Sequence, residues 1–117
     1  MAAPNIVNVV TITGKTAVQA VTTSATAIVT NSAASGKVFK VNALYVSNID
    51  GTSPADITVD LFRSSTAYPI ASTVSVPSDS TLDLMSKAIY LEEGDTLRCT
   101  ATAAGDLVAV CSYEEIS

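Results

Sequence analysis

Three pairs of carboxylates stand close together in the chain: Asp56 with Asp60, Asp79 with Asp83, and Glu92 with Glu93. Paired carboxylates can share a metal ion or divide the acid and base roles of a hydrolase. The segment Asn48-Ile49-Asp50-Gly51 has the opening flavour of a calcium loop. The regular Asp spacing and the closing bidentate Glu of such a loop are missing. These carboxylates are therefore expected on solvated strand faces and in turns, with no metal site. Cys99 and Cys111 lack the CxxC spacing, and no other soft ligand lies near them in sequence. Two small buried thiols are the expectation, rather than a disulfide or a metal site.

The 117 residues include no His. That removes the commonest general base and the commonest metal ligand, and with them Ser and Cys hydrolase triads of the usual kind and His-containing zinc sites. Gly14-Lys15-Thr16 carries the last three letters of a phosphate-binding loop, but its first glycine is absent and Val9-Val10 stand in that region. A turn between strands is expected there instead. Sugar platforms use exposed aromatic rings, frequently Trp, and there is no Trp. Tyr68, before Pro69 in the stretch Ser64-Ser65-Thr66-Ala67-Tyr68-Pro69, is the one ring expected to stand in a loop. No catalytic, cofactor-binding or metal-binding residue is assigned, and an enzyme is not expected.

Charge narrows the partners. Eleven carboxylates against six Lys and Arg leave a net charge of −5. The cations Lys15, Lys37, Lys40, Arg63, Lys87 and Arg98 are scattered, so the cationic footprint of nucleic-acid binding is missing. Anionic membrane surfaces are disfavoured for the same reason. No apolar run approaches the length of a bilayer-spanning helix, and the opening Met-Ala-Ala-Pro-Asn has no signal-peptide pattern. Synthesis in a cytoplasm without a secretion signal is the expectation.

The segments that carry these residues read as strands. Seventeen Ala, 15 Thr, 14 Ser and 14 Val make up about half of the chain, while Leu, Glu, Lys and Arg at helical spacing do not occur. Turn markers recur at Gly14-Lys15, Ser35-Gly36, Asp50-Gly51, Ser78-Asp79, Gly94-Asp95 and Ala104-Gly105-Asp106. The runs between them have the rhythm of an antiparallel β-sandwich, either a jelly roll or an immunoglobulin-like fold, in a single domain over residues 1–117.

Ile57, Val59 and Leu61 alternate with Asp56, Thr58 and Asp60, which predicts a strand with one buried and one wet face. Val38 to Asn48 is long enough to cross a sheet. Phe39 and Val41 share one parity, Leu44 and Val46 the other, so a bulge near Asn42-Ala43 is needed to bring all four onto the core side. These two strands are expected to pair as a hairpin. A second hairpin is expected from Asp95–Ala103 and Leu107–Glu114, with Leu97 opposite Tyr113, Cys99 opposite Cys111 and Ala101 opposite Ala109.

Residues 1–36 hold one charge, Lys15. Asn5–Thr13 and Ala25–Thr30 read as strands, and Thr16–Ser24 reads equally as half a helix or a flat strand. So little charge makes a poor exposed edge, because nothing discourages pairing with another chain. This segment is the candidate for an extended arm that contacts or exchanges with other subunits.

Several stretches together carry a family resemblance. They are Ala25-Thr26-Ala27-Ile28-Val29-Thr30-Asn31, Gly36-Lys37-Val38-Phe39-Lys40-Val41 running on to Leu44-Tyr45-Val46-Ser47-Asn48, and Asp50-Gly51. To these add Ile57-Thr58-Val59-Asp60, Ile70-Ala71, Leu91-Glu92-Glu93-Gly94-Asp95-Thr96-Leu97 and Cys111-Ser112-Tyr113-Glu114-Glu115-Ile116-Ser117. From about residue 25 onward the chain resembles the small virion structural proteins of tailed bacteriophages, particularly those of cyanobacterial and marine phages. The resemblance implies a β-sandwich that coats a capsid as a decoration or cement protein, or sits in a tail, fibre or baseplate. It further implies residence on the virion, the major capsid protein or other virion proteins as partners, and a homotrimer on threefold positions. A carbohydrate-binding module for host attachment is the reading from another class.

Overall fold

The computed structural model describes residues 8–117. Its strands are β1 (Ile12–Ala20), β2 (Thr26–Thr30), β3 (Val38–Asn48), β4 (Ala55–Arg63), β5 (Thr66–Val76), β6 (Thr81–Asp83), β7 (Ile89–Leu91), β8 (Thr96–Ala101) and β9 (Leu107–Ile116). All pairs are antiparallel. The first sheet runs β1-β9-β3-β6, with β7 also on β3, and the second runs β2-β8-β4-β5.

That order is a chain folded double and then wound up. The β4–β5 hairpin is the tip, and moving outward from it β3 meets β6 and β7, β2 meets β8, and β1 meets β9. With β6 and β7 counted as one interrupted strand, this is the eight-strand jelly roll rather than the immunoglobulin-like order. The all-β sandwich expected from composition is what forms.

The bulge in β3 falls where the parity of its apolar residues demands it. Its register against β9 shifts between Val41 and Ala43, and Phe39, Val41, Leu44 and Val46 are all buried. Across the core they meet Val29, Ala55, Ile57, Val59, Leu97 and Cys99 of the second sheet. Ser35-Gly36, Asp50-Gly51, Ser78-Asp79, Gly94-Asp95 and the Gly105 loop all lie between strands, as the turn chemistry predicts.

Both predicted hairpins are wrong. β3 and β4 lie in different sheets, and so do β8 and β9. Hydrogen bonds at one end of the sandwich enforce both crossings. Asn48 donates its amide to Ser53 O and Val76 O, each at 3.0 Å, so the 49–54 segment is carried across to the second sheet. Ala101 N donates to Thr22 O and Thr102 N to Asp56 O on the second-sheet side, while Val21 N donates to Leu107 O on the first. The sequence-local pairing ignored that a doubled chain can satisfy the same alternation through distant partners.

Two further corrections concern the N-terminal third. Gly14-Lys15 is no turn: it sits inside β1, whose register against β9 runs unbroken from Ile12↔Ile116 to Ala20↔Val108. The ambiguous Thr16–Ser24 stretch is therefore strand as far as Ala20. Nor does this third stand off as an arm. β1 completes the first sheet, β2 completes the second, and Val21 and Val29 belong to the shared core. The first seven residues of the expected arm, and most of the Asn5–Thr13 strand, lie outside the described residues.

Candidate functional site

The acidic pairs come apart when placed in the fold. Asp60 was expected on a wet face, and its parity is outward, but it is buried because Arg98 of β8 closes over it. Arg98 donates from Nε to Asp60 Oδ1 at 2.8 Å, and its guanidinium lies 4.0 Å from the centre of the Phe62 ring. Cation–π and ionic contacts thus share one cation on the outer face of the second sheet. Asp56 pairs in register with Ser75 and takes no part in this contact.

Glu92 joins a different cluster. Asp95, 2% exposed, accepts hydrogen bonds from Arg63 Nε at 2.7 Å, from Arg63 Nη2, and from Glu92 N at 2.8 Å. Glu92 itself caps the same guanidinium from the solvent side at 2.8 Å. Burial alone would raise the Asp95 pKa, but the Arg63 and backbone hydrogen bonds outweigh it and hold the carboxyl below its ordinary value. Buried Asn31 extends the cluster, donating to Lys37 O and Leu91 O at 2.9 Å each while Ser35 Oγ donates to its Oδ1. Glu93 accepts from Gly36 N at 2.9 Å. Every one of these groups is occupied in tying loops 31–37 and 92–95 together. Asp50 likewise serves its own turn: hydrogen bonds from Thr52 N and Thr52 Oγ1 lower its pKa.

Among the described residues, no group of three or more Cys, Asp or Glu is close enough to hold a metal ion. Cys99 and Cys111 are free and buried, one in each sheet. They are not cross-strand neighbours: Cys99 faces Val59 and Thr26, and Cys111 faces Leu44 and Ala17. Burial pushes the thiols up to about 12 and about 11 respectively, far from nucleophilic thiolates at neutral pH. Tyr68 is 54% exposed as expected, but it lies in β5 rather than a loop. The connection is only Ser64-Ser65, a two-residue hairpin turn with φ of 51° and 60°.

What the arrangement does offer is a surface. On the outer face of the first sheet, the register puts Val18 of β1, Val110 of β9 and Tyr45 of β3 in one row across three strands. The rows beside it are Ala20–Val108–Ser47 and Thr16–Ser112–Ala43. These nine side chains carry no charge, and Val18 is 72% exposed. Short uncharged side chains bury area with little desolvation or rotamer cost. Sequence reading missed this row because Val18 lay in the ambiguous stretch. Tyr45 was legible, since a strand that buries Leu44 and Val46 must turn it outward.

No family model matches the chain, and no curated protein matches it. Among solved structures it is similar to a chain from the disulfide-linked pili of Bacillus endospore appendages, at 18% identity and a TM-score of 0.53, over 90% of this chain and 85% of that one. At that identity the likeness shows the fold, an all-β sandwich of two antiparallel sheets.

Proposed function

We propose that the chain is a non-enzymatic structural subunit that works in many copies, and on its resemblance a virion protein that decorates and cements a phage head. The carrying observation is the uncharged three-by-three patch on the first sheet, centred on Val110. Six of its nine side chains are apolar or aromatic and none is charged, and an exposed apolar row such as Val18–Val110–Tyr45 suits a protein–protein contact better than a solvated face. Each contact would be weak, and multiplicity on a lattice would supply the avidity. By contrast, the polar clusters around Asp95 and Asp60 are consumed internally and leave no side chain aimed at a substrate.

The major capsid protein is the partner this reading implies. The test is cosedimentation of the purified protein with phage heads lacking their decoration protein, wild type against Val18→Asp. Binding by wild type and its loss in the variant is the expected result. Equal binding by both would overturn the role of the patch. A second reading, a tail or fibre component, gains support from the pilus-forming neighbour. Copies of this chain would join without the disulfides of that neighbour, since both cysteines are buried in the core. Filaments of the pure protein in negative-stain electron microscopy would favour that reading. The sugar-binding alternative rests on Tyr68, the most exposed of three exposed rings with Tyr45 and Tyr90.

A further inference from the structure

A sandwich has four sheet edges, and the three other than β1 are guarded here. β5 carries Pro69 and is bulged between Val74 and Ala71 and again between Ala71 and Pro69. β2 is five residues long with a register shift. The remaining edge is broken into β6 and β7, three residues each. Short length, bulges and proline are the devices by which proteins keep an edge from pairing with another chain. β1 has none of them: nine residues, no proline and an unbroken register.

Its single charge offers no protection either. A lysine on an edge strand repels an incoming strand when it projects outward. Lys15 instead reaches back to Glu115 of β9, with Nζ 2.9 Å from the carboxylate.

Which backbone groups are free follows from the ends of the β1–β9 ladder. Thr11 N and Ser117 O bond at 2.9 Å, Ser117 N and Thr11 O bond at 2.9 Å, and Val21 N donates to Leu107 O. Antiparallel pairs alternate, so the odd residues of β1 bond to β9 and the even ones face away. Ile12, Gly14, Thr16, Val18 and Ala20 therefore present their N–H and C=O groups at an edge that no other strand of the described residues covers.

We propose that β1 pairs antiparallel with β1 of a second copy, about a twofold axis at Thr16. This rests on the multi-copy reading above and names its contact. The partner has to bring the same strand, because a head-to-tail arrangement needs a second open edge and the described residues offer none. The twofold register at Thr16 sets Val18 opposite the second copy's Gly14, Ile12 opposite Ala20, and Lys15 opposite Ala17. All nine residues overlap, the two Lys15 are diagonal rather than directly opposite and each is neutralised by its own Glu115, and each strand gives five N–H donors. The uncharged outer faces then join across the seam into one surface.

The flank is roughly 30 Å long for nine strand residues, on a molecule whose shortest extent is 19 Å. The resulting area of roughly 600 Å² per partner is below the ~800 Å² of a standard interface. A dissociation constant on the order of micromolar is expected.

The test is light scattering after size exclusion across a concentration series, with hydrogen exchange on the same samples. Wild type should reach the mass of two chains, and the amides of Gly14, Thr16 and Val18 should become protected as it does. Thr16→Pro deletes an outward donor without touching the β1–β9 ladder. It should weaken the dimer by about 10- to 30-fold, for two lost hydrogen bonds across the axis. Thr16→Val keeps the donor and should dimerise normally, and thermal melting of each variant checks that it is folded. A monomer at all concentrations, a trimer, or a dimer in which those three amides stay unprotected overturns β1 pairing. Head binding that is lost in Val18→Asp alongside any of these would leave the multi-copy reading standing without it.

Discussion

Replacing Asp95 by Asn isolates the charge from the shape of the most deeply buried ionic group. The carboxylate is 2% exposed and accepts two bonds from Arg63 and one from Glu92 N. Hydrogen bonds to a buried charge contribute about 1.5–3 kcal/mol each. The Arg63 side chain is 41% exposed, so water screens and partly replaces its share. The asparagine oxygen can still accept from Glu92 N. A net loss of about 2–3 kcal/mol at pH 7 is expected, or a fall in Tm of roughly 10 °C for a chain of this size.

The pH dependence fixes the cause. The folded pKa of Asp95 lies below the ordinary 3.8, so its contribution is fully present above that value and is lost as pH falls through the folded pKa. Urea titrations of wild type and Asp95→Asn should differ by the full amount at pH 7, and the difference should shrink as the pH falls below 3.8 and through the folded pKa. A loss under about 0.5 kcal/mol at pH 7, or a difference undiminished in acid, would refute the assignment.

The Ser64-Ser65 turn holds two β-carbon-bearing residues at positive φ, where Asn followed by Gly is preferred. The double substitution Ser64→Asn with Ser65→Gly should stabilise the fold by about 1 kcal/mol in urea denaturation. Leu44→Ala should cost about 2–5 kcal/mol because the side chain is fully buried, whereas its neighbour Tyr45→Ala, facing outward and 43% exposed, should cost only about 1 kcal/mol. A thiol reagent at pH 8 should label neither Cys99 nor Cys111 in the native protein and both in denaturant, since each is buried with a raised pKa.

Local periods were legible in the chain alone. Alternation in 57–61 and the parity break in 39–46 predicted the strands and the β3 bulge, because a side-chain period of two leaves few ways to bury such residues. Glycine and Asp placed most of the turns, Gly14-Lys15 excepted, where a strand runs straight through. The free, buried state of both thiols was legible from their number, their spacing and the lack of other soft ligands.

Which strand meets which depends on contacts between distant parts of the chain. Alternation says that Leu97 and Ala109 face a core, but is silent on whether that core lies between adjacent strands or between sheets. The jelly roll answers through long-range bonds such as Asn48 to Val76 O and Val21 N to Leu107 O, whose partners lie far apart in sequence. Asp60 shows the same limit at one residue: its outward parity was readable, whereas its burial depends on Arg98, 38 residues away. The open edge of β1 is likewise a property of the sheet: among the described residues no strand pairs beside it, and that is written in no single strand.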